Sequence, residues 1–314
     1  MKTVLITGCS AGGLGAALAV AFHEAGCRVY ATARTPSKIP ESLTSLPNVE
    51  VLALDVTDER AIGECVAKIK TARIQQRKSV GKGSEGSEGS GGRGLDILVN
   101  NAGAGFLMPV LDTPIEEARK TFEVNFWGVL AMVKAFAPLL IDSGGGGVVV
   151  NVASIAGAVP LPWQAIYNSS KAAVAMLSET LRLELSSLGV RVVTAMVGAV
   201  ETDIYNKQHQ QHFALPASSL YLPAEEAIKW RAAGGHQADI EEPAEVTAGN
   251  IVRDVLGSGE SGGGGGKIWR GGRAGATRLA SCVMPQAEID KRMMERSGFE
   301  ELRVAYKDGV PRQG

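Results

Sequence analysis

Cysteine is scarce in this chain, with only four residues among 314. The four are scattered, and none forms a CxxC pair or stands at metal-ligand spacing from a histidine cluster. This argues against a disulfide framework and against a zinc site, and it favours a reducing compartment. His209 and His212 lie three residues apart without an evident third ligand. They are interpreted as surface histidines, and no metal is predicted.

An excess of charge of either sign is also missing. Lysine and arginine number 32, aspartate and glutamate number 33, and the formal net charge is −1. A chain so close to neutrality has no global field that would hold a polyanion or an anionic membrane. Nucleic acid is therefore not expected as a partner.

A long uninterrupted apolar run is absent as well. The most apolar stretch, Val148 to Trp163, contains Asn151, Ser154, Gly157 and two prolines, whereas a membrane span needs ~20 apolar residues. The opening MKTVLITGCS reads as a strand that starts at once and leaves no room for a signal peptide. No transmembrane segment is predicted, and the expected location is the cytoplasm.

Short β-branched runs instead alternate with Ala- and Leu-rich amphipathic stretches. The pattern is typical of βαβ units around a parallel sheet, and nearly all-apolar strands indicate helices on both faces. Right-handed crossovers then give an α/β fold with a doubly wound, mostly parallel seven-stranded sheet. The predicted strands are Thr3–Thr7, Arg28–Ala33, Val49–Leu54, Asp96–Asn100, Val148–Ala153, Arg191–Val197 and a short seventh, Lys267–Trp269.

Helices are predicted between the strands, and residues 1–314 are interpreted as a single domain. Residues 79–94 and 257–266 are rich in Gly and Ser and cannot bury enough apolar surface to offset their ordering entropy, so they are predicted to be flexible surface loops. The predicted helices are Leu14–Ala25, Asp58–Arg73, Pro114–Leu140 and Ala165–Leu188.

One further segment, residues 203–243, carries aromatic side chains and histidines without strand alternation. It is interpreted as a mobile helical cap over a substrate site. An ordinary surface excursion packed by its own aromatic residues is the alternative.

A glycine-rich turn joins the first strand to the first helix over residues 6–15, Ile-Thr-Gly-Cys-Ser-Ala-Gly-Gly-Leu-Gly. Glycines let the backbone approach a pyrophosphate, and the helix N-terminus offers unpaired N–H donors. The sequence therefore predicts a dinucleotide site built from Gly8, Ser10, Gly13, Leu14 and Gly15. Which residues of the 10–12 stretch contact phosphate stays open.

The end of the second strand indicates which dinucleotide binds. An acidic residue that would hold the adenosine ribose is absent there, and the strand ends Ala-Thr-Ala-Arg34. A guanidinium can clamp a 2′-phosphate, so NADP(H) is predicted over NAD(H). The alternative is that Arg34 is a solvated charge at a strand end.

Tyr167 and Lys171 stand four residues apart at the start of a helix, and Ser154 precedes them where the fifth strand ends. Spacing of i, i+4 puts the phenol and the ammonium on one helical face. Reduction of a ketone needs a proton donor, and a Tyr acting near neutrality needs its pKa lowered by about 3 units, or roughly 4 kcal/mol. A cation at ~4 Å supplies ~4 kcal/mol at an effective dielectric of about 20. Ser154 would then hydrogen-bond the carbonyl oxygen.

These motifs together resemble the short-chain dehydrogenase/reductase family, which has a Rossmann fold, over roughly residues 1–204. The motifs that carry the resemblance are Thr7-Gly8 with Gly12, Gly13 and Gly15, then Asp55, Asn100–Gly103, Asn125, Ser154, Tyr167-x-x-x-Lys171 and Gly198–Thr202. Within the family the sequence looks most like the branch of NADPH-dependent 1-acyldihydroxyacetone-phosphate reductases.

The resemblance implies a role for each matching position. Tyr167 would donate the proton, Lys171 would lower its pKa and hold the nicotinamide ribose, and Ser154 would polarise the carbonyl. The supporting residues would be Asn125 for a proton-relay water, Asp55 for the adenine, Asn101 for the adenosine ribose, and Val200 and Thr202 for the carboxamide and pyrophosphate.

Several of these residues also have a purely structural interpretation. Asn125 alone could be a buried amide that satisfies backbone groups, Asp55 could be the N-cap of the next helix, and Asn101 could merely pin the turn after the fourth strand.

The predicted function is an NADPH-dependent carbonyl reductase that acts on a ketone or aldehyde of an apolar substrate, either lipid-like or a secondary metabolite. Oxidation of an alcohol and non-catalytic sensing of NADP(H) are the alternatives. The two long helices from 114 and from 165 carry more apolar positions than one sheet face covers, so a homodimer is also expected.

Overall fold

The computed structural model describes residues 1–80, 94–202, 213–237, 239–257 and 266–307. Within these ranges seven strands form one sheet in the order β3-β2-β1-β4-β5-β6-β7, and every neighbouring pair is parallel. The predicted doubly wound α/β fold is therefore confirmed, and no strand end differs from its predicted position by more than one residue. The strands are β1 Thr3–Ile6, β2 Arg28–Ala33, β3 Val49–Ala53, β4 Ile97–Asn100, β5 Val148–Val152, β6 Arg191–Val197 and β7 Gly266–Arg270.

Helices cover both faces of the sheet. They are α1 Leu14–Glu24, α2 Glu41–Thr44, α3 Glu59–Val80, α4 Ile115–Phe122, α5 Gly128–Ile141, α6 Ala165–Ser186, α7 Glu225–Ala232, α8 Ala244–Leu256, α9 Ala274–Val283, α10 Gln286–Met294 and α11 Phe299–Lys307.

The hydrophobic core lies in two layers because successive strand residues point to opposite faces. Ile6 packs with Phe22 of α1 and Ile251 of α8 on one face. Leu5, the preceding residue, packs on the other face with Phe136 of α5. With both faces buried, ligand access is left to the edge where the strands end. The chain switches direction between β1 and β4, and at such a switch point a crevice opens at the carboxyl ends of the strands.

The predicted helix over 114–140 is not one regular α-helix. A π-helical turn, Glu123–Trp127, separates α4 from α5. Such single turns insert one extra residue and are frequent at functional sites. Here the turn carries Asn125, whose buried side chain is fixed from outside the helix, as described below.

Two other boundaries differ from the predicted ones by more than one residue. Helix α3 runs to Val80 rather than ending at Arg73, so the first two residues of the predicted loop at 79–94 are helical. Helix α6 ends at Ser186, two residues earlier than predicted. The predicted loops are residues 79–94 and 257–266. Their end residues Gly94, Gly257 and Gly266 are described, and Gly266 begins β7, while residues 81–93 and 258–265 lie outside the described residues.

The longest apolar helical segment is Ile115–Ile141, not the stretch around β5 that the sequence pattern singled out. By length and composition it could cross a membrane, with a mean hydropathy of 1.7 over 18 residues. In the fold, Met132, Phe136 and Leu140 on its inner face are fully buried against the sheet. Packing in the core therefore accounts for the apolar residues on its inner face, while 44% of the 18-residue window is buried.

The predicted cap is described over residues 213–237, which contain a 3₁₀ turn and α7, and over residues 239–243. Leu215 and Ile228 pack against Trp163, in the loop between β5 and α6, and Phe299 of α11 joins the same cluster. Residues 203–212, which include His209 and His212, lie outside the described residues. The cap interpretation thus stays a prediction, while the described part lies on the loop that precedes Tyr167.

Candidate active site

The glycine-rich turn leaves β1 through Gly8, whose φ of +76° is in the left-handed region. Hydrogen bonds tie the turn to β2 and to the segment after it. The amide of Cys9 donates to the carbonyl of Thr32 at 2.8 Å, and that of Ala11 donates to the carbonyl of Lys38 at 2.9 Å. The turn is therefore held in place by backbone contacts that leave its outer side open.

Helix α1 comes unusually close to this turn. A Cβ on Gly15 would lie 2.3 Å from the carbonyl oxygen of Gly8 and 2.4 Å from Nδ2 of Asn101. Only a glycine fits at that distance. The helix N-terminus is thereby pressed against the end of β1, with Leu14 buried behind it.

The N-terminus of α1 can accept a phosphate group. Gly13 is the N-cap, and no side chain caps the first turn. The N–H groups of that turn carry the positive end of the helix dipole. Ser10 is half-buried beside it, and its carbonyl accepts from the amide of Gly13 at 3.2 Å. These residues fit a dinucleotide pyrophosphate.

Asn101 anchors the glycine-rich turn. Its side-chain amide donates to the carbonyls of Thr7 at 2.9 Å and of Gly8 at 3.2 Å. The Thr7 hydroxyl accepts from the backbone amides of Asn101 and Ala102 at 3.0 and 2.9 Å. The structural alternative for Asn101, that it pins the turn after β4, is therefore observed, and contact with the adenosine ribose stays a prediction.

Arg34 follows directly on β2 and is exposed at the end of the strand. None of the ion pairs in the described ranges engages it. Four residues further along the chain, the carbonyl of Lys38 accepts the hydrogen bond from the glycine-rich turn. The position is compatible with binding of a 2′-phosphate.

Asp55 does not cap α3, so the N-cap alternative for it is wrong. Asp58 is the capping residue, and its Oδ1 accepts from the amides of Arg60 at 2.9 Å and Ala61 at 3.3 Å. The Oδ1 of Asp55 instead accepts from the amide and hydroxyl of Thr57 in a tight local turn. That turn holds Asp55 at the carboxyl end of β3, two strands from β1.

Ser154, Tyr167 and Lys171 meet at the carboxyl end of β5, as the sequence predicted. All three are buried. Ser154 caps a short 3₁₀ turn, with its Oγ accepting from the amide of Ala156 at 3.1 Å, and the same hydroxyl hydrogen-bonds the phenol of Tyr167. The ammonium of Lys171 donates to the carbonyl of Val152, the last residue of β5, at 2.9 Å.

Burial is the main influence on the pKa of Tyr167 and of Lys171. Burial raises the pKa of the phenol above its ordinary value of 10, and the Ser154 hydrogen bond lowers it by less. Burial also lowers the pKa of Lys171 from 10.5 to about 8. In the chain without a cofactor, desolvation is the larger effect on both groups. The lowering of the phenol pKa by Lys171 in the complex with the cofactor stays a prediction.

Asn125 makes three side-chain hydrogen bonds within the protein. Its Oδ1 accepts from the amide of Ala104 at 2.8 Å, and its Nδ2 donates to the Ala104 carbonyl and to the Ser170 hydroxyl, both at 3.0 Å. This agrees with the alternative of a buried amide that satisfies backbone groups. The role of Asn125 in anchoring a proton-relay water stays a prediction.

Ser170 is a site residue that sequence reasoning missed. Its hydroxyl accepts from Asn125 and donates to the carbonyl of Tyr167 at 2.8 Å, and the residue is fully buried. It thus connects the π-helical turn to the first turn of α6. Its place one residue before Lys171 and three after Tyr167 puts it on the inward side of the helix, and that spacing was the available signal.

Val200 and Thr202 lie beyond the end of β6, on the far side of β5 from the glycine-rich turn. Val200 is buried and forms a β-bridge with Glu242, and the Thr202 hydroxyl donates to the Val200 carbonyl at 3.3 Å. The segment lies along the same edge of the sheet as Ser154. Their contacts with a carboxamide and a pyrophosphate stay predictions.

Comparisons with known proteins agree with this geometry. A family model described as short chain dehydrogenase matches residues 2–212. Short-chain dehydrogenase ptmH of Penicillium ochrochloron is 42% identical over 298 residues, which cover 95% of this chain and 98% of that protein. An NADPH-dependent 1-acyldihydroxyacetone phosphate reductase of Schizosaccharomyces pombe is 41% identical over 229 residues, or 72% and 70% of the two chains.

Solved structures show the same fold. A short-chain dehydrogenase from Streptomyces avermitilis aligns with a TM-score of 0.69 at 23% identity, covering 98% of this chain and 100% of that one. A short chain dehydrogenase from Burkholderia cenocepacia, solved in complex with NADP, aligns with a TM-score of 0.66 at 24% identity, covering 94% and 99%.

Proposed function

The chain belongs to the short-chain dehydrogenase family, and from that membership we propose that it is an NADPH-dependent carbonyl reductase acting on an apolar ketone or aldehyde. As a member it is an oxidoreductase of small molecules. The single observation that carries the proposal is the buried meeting of Ser154, Tyr167 and Lys171 beside the crevice at the strand ends.

The choice of NADP(H) rests on the exposed guanidinium of Arg34 at the end of β2, where no acidic side chain stands to repel a 2′-phosphate. The relative from Schizosaccharomyces pombe, named for its use of NADPH, supports the same choice. The open N-terminus of α1, with Ser10 and Gly13, would hold the pyrophosphate.

The catalytic roles follow from the buried groups. NADPH, when bound, supplies the hydride. Tyr167 donates the proton from its phenolic oxygen to the substrate oxygen, and Ser154 donates a hydrogen bond to that oxygen as negative charge develops. Lys171 is held by Val152 at the base of the site, where its ammonium favours the deprotonated phenol that remains after the proton has left.

The protonation state of Tyr167 is compatible with reduction. Because burial raises the pKa of the phenol, it keeps its proton at neutral pH. A protonated phenol is the form that donates a proton to the substrate oxygen. The direction in the cell follows the ratio of reduced to oxidised cofactor, so reduction is proposed from the choice of NADPH.

An apolar substrate is proposed because aromatic and aliphatic side chains dominate the loops beside the site. Leu107 and Met108, after β4, pack with Trp163 and with Phe213 of the cap. Whether the substrate is lipid-like or a secondary metabolite is a matter for the substrate screen below.

A homodimer in the cytoplasm completes the proposal. Met176 and Leu183 lie seven residues apart on α6 and are each about two-thirds exposed in the single chain. Apolar side chains on one helical face favour pairing with a second copy. All four cysteines are free thiols, which agrees with a reducing compartment.

The test is turnover by the purified chain with NADPH and a panel of ketones of increasing apolar size, followed by the loss of nicotinamide absorbance. We expect oxidation of NADPH that depends on the ketone. Binding of NADPH without oxidation by any ketone would instead identify a sensor. Faster turnover of the matching alcohols with NADP⁺ at neutral pH would reverse the proposed direction.

A further inference from the structure

The backbone of Trp163 is strained, and the residue lies in the loop that precedes Tyr167. Its φ of +65° is in the left-handed region, where a bulky residue is rare. It stands between Ser154 and Tyr167 and directly precedes Gln164, the N-cap of α6. Strained residues of this kind persist only where their surroundings hold them.

The indole of Trp163 is held by the C-terminal part of the chain. Its Nε1 donates to the carbonyl of Ser297 at 2.9 Å. The ring stacks on Phe299, with centroids 4.7 Å apart and planes 26° apart, and it meets Tyr221 of the cap edge-on at 5.4 Å. The Trp163 carbonyl accepts from the amide of Met108 at 2.8 Å. Contacts from three separate segments therefore converge on one side chain and its backbone.

The C-terminal side of this contact is itself fixed. Ser297 is fully buried, and its hydroxyl accepts from Arg231 of α7 at 3.0 Å and donates to the carbonyl of Met293 at 2.8 Å. Gly298 has a φ of +83°, and a Cβ there would lie 2.6 Å from Cβ of Ala224. Helix α11 is thus locked to the cap at the point where it meets Trp163.

Hydrogen bonds also connect the loop around Trp163 with the start of α6, which carries Tyr167. The Gln164 carbonyl accepts from the amide of Asn168 at 2.8 Å, and the Asn168 side chain donates to the carbonyl of Leu161 at 2.8 Å. These bonds connect the loop around Trp163 with the first turn of α6, which carries Tyr167. A shift of Trp163 would therefore move the start of the helix and the phenol with it.

We infer that the segment 297–307 positions Tyr167 through Trp163, so that Trp163 and Phe299 are positioning residues for the proposed proton transfer. The inference rests on the proposed function. The segment lies outside residues 2–212 that the family model matches. The C-terminal region would thus contribute to a site whose catalytic residues lie within the matched part of the chain.

The first test compares Phe299→Ala with Val304→Ala, an exposed residue on the same helix. Because a misplaced reacting group costs rate rather than cofactor affinity, we expect kcat for ketone reduction to fall roughly tenfold or more in Phe299→Ala, with Kd for NADPH within about twofold of wild type. Val304→Ala should match wild type in both. An unchanged kcat in a folded Phe299→Ala would overturn the inference.

Phe299→Leu is the variant to measure if Phe299→Ala does not fold. It keeps an apolar contact with Trp163 and loses the stacked ring, so kcat should fall less than in Phe299→Ala while KM for NADPH is unchanged. A kcat equal to wild type in this variant, together with unchanged hydrogen exchange, would contradict the positioning role.

A second pair of variants separates backbone strain from side-chain contact. Trp163→Gly accepts the positive φ and lacks the indole, whereas Trp163→Ala lacks the indole and keeps the strain. We expect both to lose kcat and Trp163→Ala to lose more. Wild-type kcat in Trp163→Gly would show that the indole contacts do not position Tyr167.

Hydrogen exchange tests the coupling without turnover. The amide of Asn168 should exchange faster in Phe299→Ala than in wild type or Val304→Ala, because the first turn of α6 loses its anchor. Equal exchange in all three would refute the coupling even if the wild-type chain reduces ketones. If the wild-type chain reduces none, the proposed function fails, while this measurement still decides whether Phe299 holds the start of α6.

Discussion

The ammonium of Lys171 lies 5.8 Å from the centre of the Tyr167 ring and makes its hydrogen bond elsewhere, to the backbone carbonyl of Val152. The lysine is thus held by the strand and not by the phenol. Since burial raises the pKa of Tyr167 and lowers that of Lys171, the pair by itself stores a proton on the phenol. The chain without cofactor therefore holds Tyr167 in the protonated form, the form that can protonate a substrate oxygen.

Tyr167→Phe should reduce turnover by about a hundredfold or more, because the proton donor is removed while the ring remains. Kd for NADPH, measured by nicotinamide fluorescence, should stay within a few-fold of wild type. Tyr30→Phe is the matched control, since Tyr30 is buried in the core away from the site and its hydroxyl makes no hydrogen bond among the described residues. A Tyr167→Phe chain with the wild-type rate would remove the assigned role.

The stability of the fold should depend on pH through Lys171. Its pKa is about 8 in the folded chain, below the ordinary 10.5, so the unfolded chain binds more protons between these values. Stability from this group therefore rises with pH across the window from 8 to 10.5, by about 3 kcal/mol in total. Below pH 8 both states are protonated, and the group contributes no slope.

Lys171→Met is the variant that isolates this contribution. Burial raises the pKa values of Cys9 and Cys65 to about 12, so these thiols lower the stability as pH rises. Both chains contain them, and their effect cancels in the comparison. Urea unfolding at pH 7, 8, 9 and 10 should show the wild type gaining on the variant as pH increases. A difference that stays constant over this range would mean that the lysine titrates normally.

Arg34→Ala should weaken NADPH binding and leave NADH binding nearly unchanged. A charge-assisted hydrogen bond contributes about 1.5–3 kcal/mol, so Kd for NADPH should rise roughly tenfold to a hundredfold. Arg60→Ala is the control, an exposed arginine on α3 whose partner is Glu64. Equal preference for the two cofactors in the unmodified enzyme would defeat the assignment of Arg34.

Two glycine substitutions should have opposite effects on stability. Gly15→Ala places a Cβ 2.3 Å from the Gly8 carbonyl, so it should destabilise the chain by about 2 kcal/mol and weaken cofactor binding. Gly63→Ala, at an exposed position in the second turn of α3 where a Cβ meets nothing within 4 Å, should stabilise it by about 0.5–1 kcal/mol. Urea midpoints measure both. A harmless Gly15→Ala would mean that the turn moves more easily than its contacts indicate.

Much of the fold and the core of the site could be predicted from the sequence. Apolar strands and turn glycines are local signals, and Tyr167 and Lys171 share a face by helical spacing alone. What failed depended on contacts distant in sequence. The π-helical turn at Asn125 is specified by Ala104 and Ser170, and no local pattern marks them.

The raised pKa of Tyr167 in the chain without cofactor and the strained backbone at Trp163 also depend on tertiary packing. The first depends on how deeply the phenol is buried, which spacing does not reveal. The second depends on Ser297, more than a hundred residues further on. Sequence pattern fixes which groups are present, and tertiary packing decides their electrostatics and their exact orientation.

The face of α6 that carries Met176 and Leu183 gives the last prediction. Both side chains are exposed in the single chain, and their spacing of seven places them on one helical stripe. If this stripe pairs with a second copy, the double substitution of both residues by Glu puts charge into an apolar interface and should yield monomers in sedimentation equilibrium. Leu279→Glu, equally exposed on α9, should remain dimeric. A wild-type chain that sediments as a monomer at micromolar concentration would contradict the dimer. Met176 and Leu183 would then face solvent in the free protein.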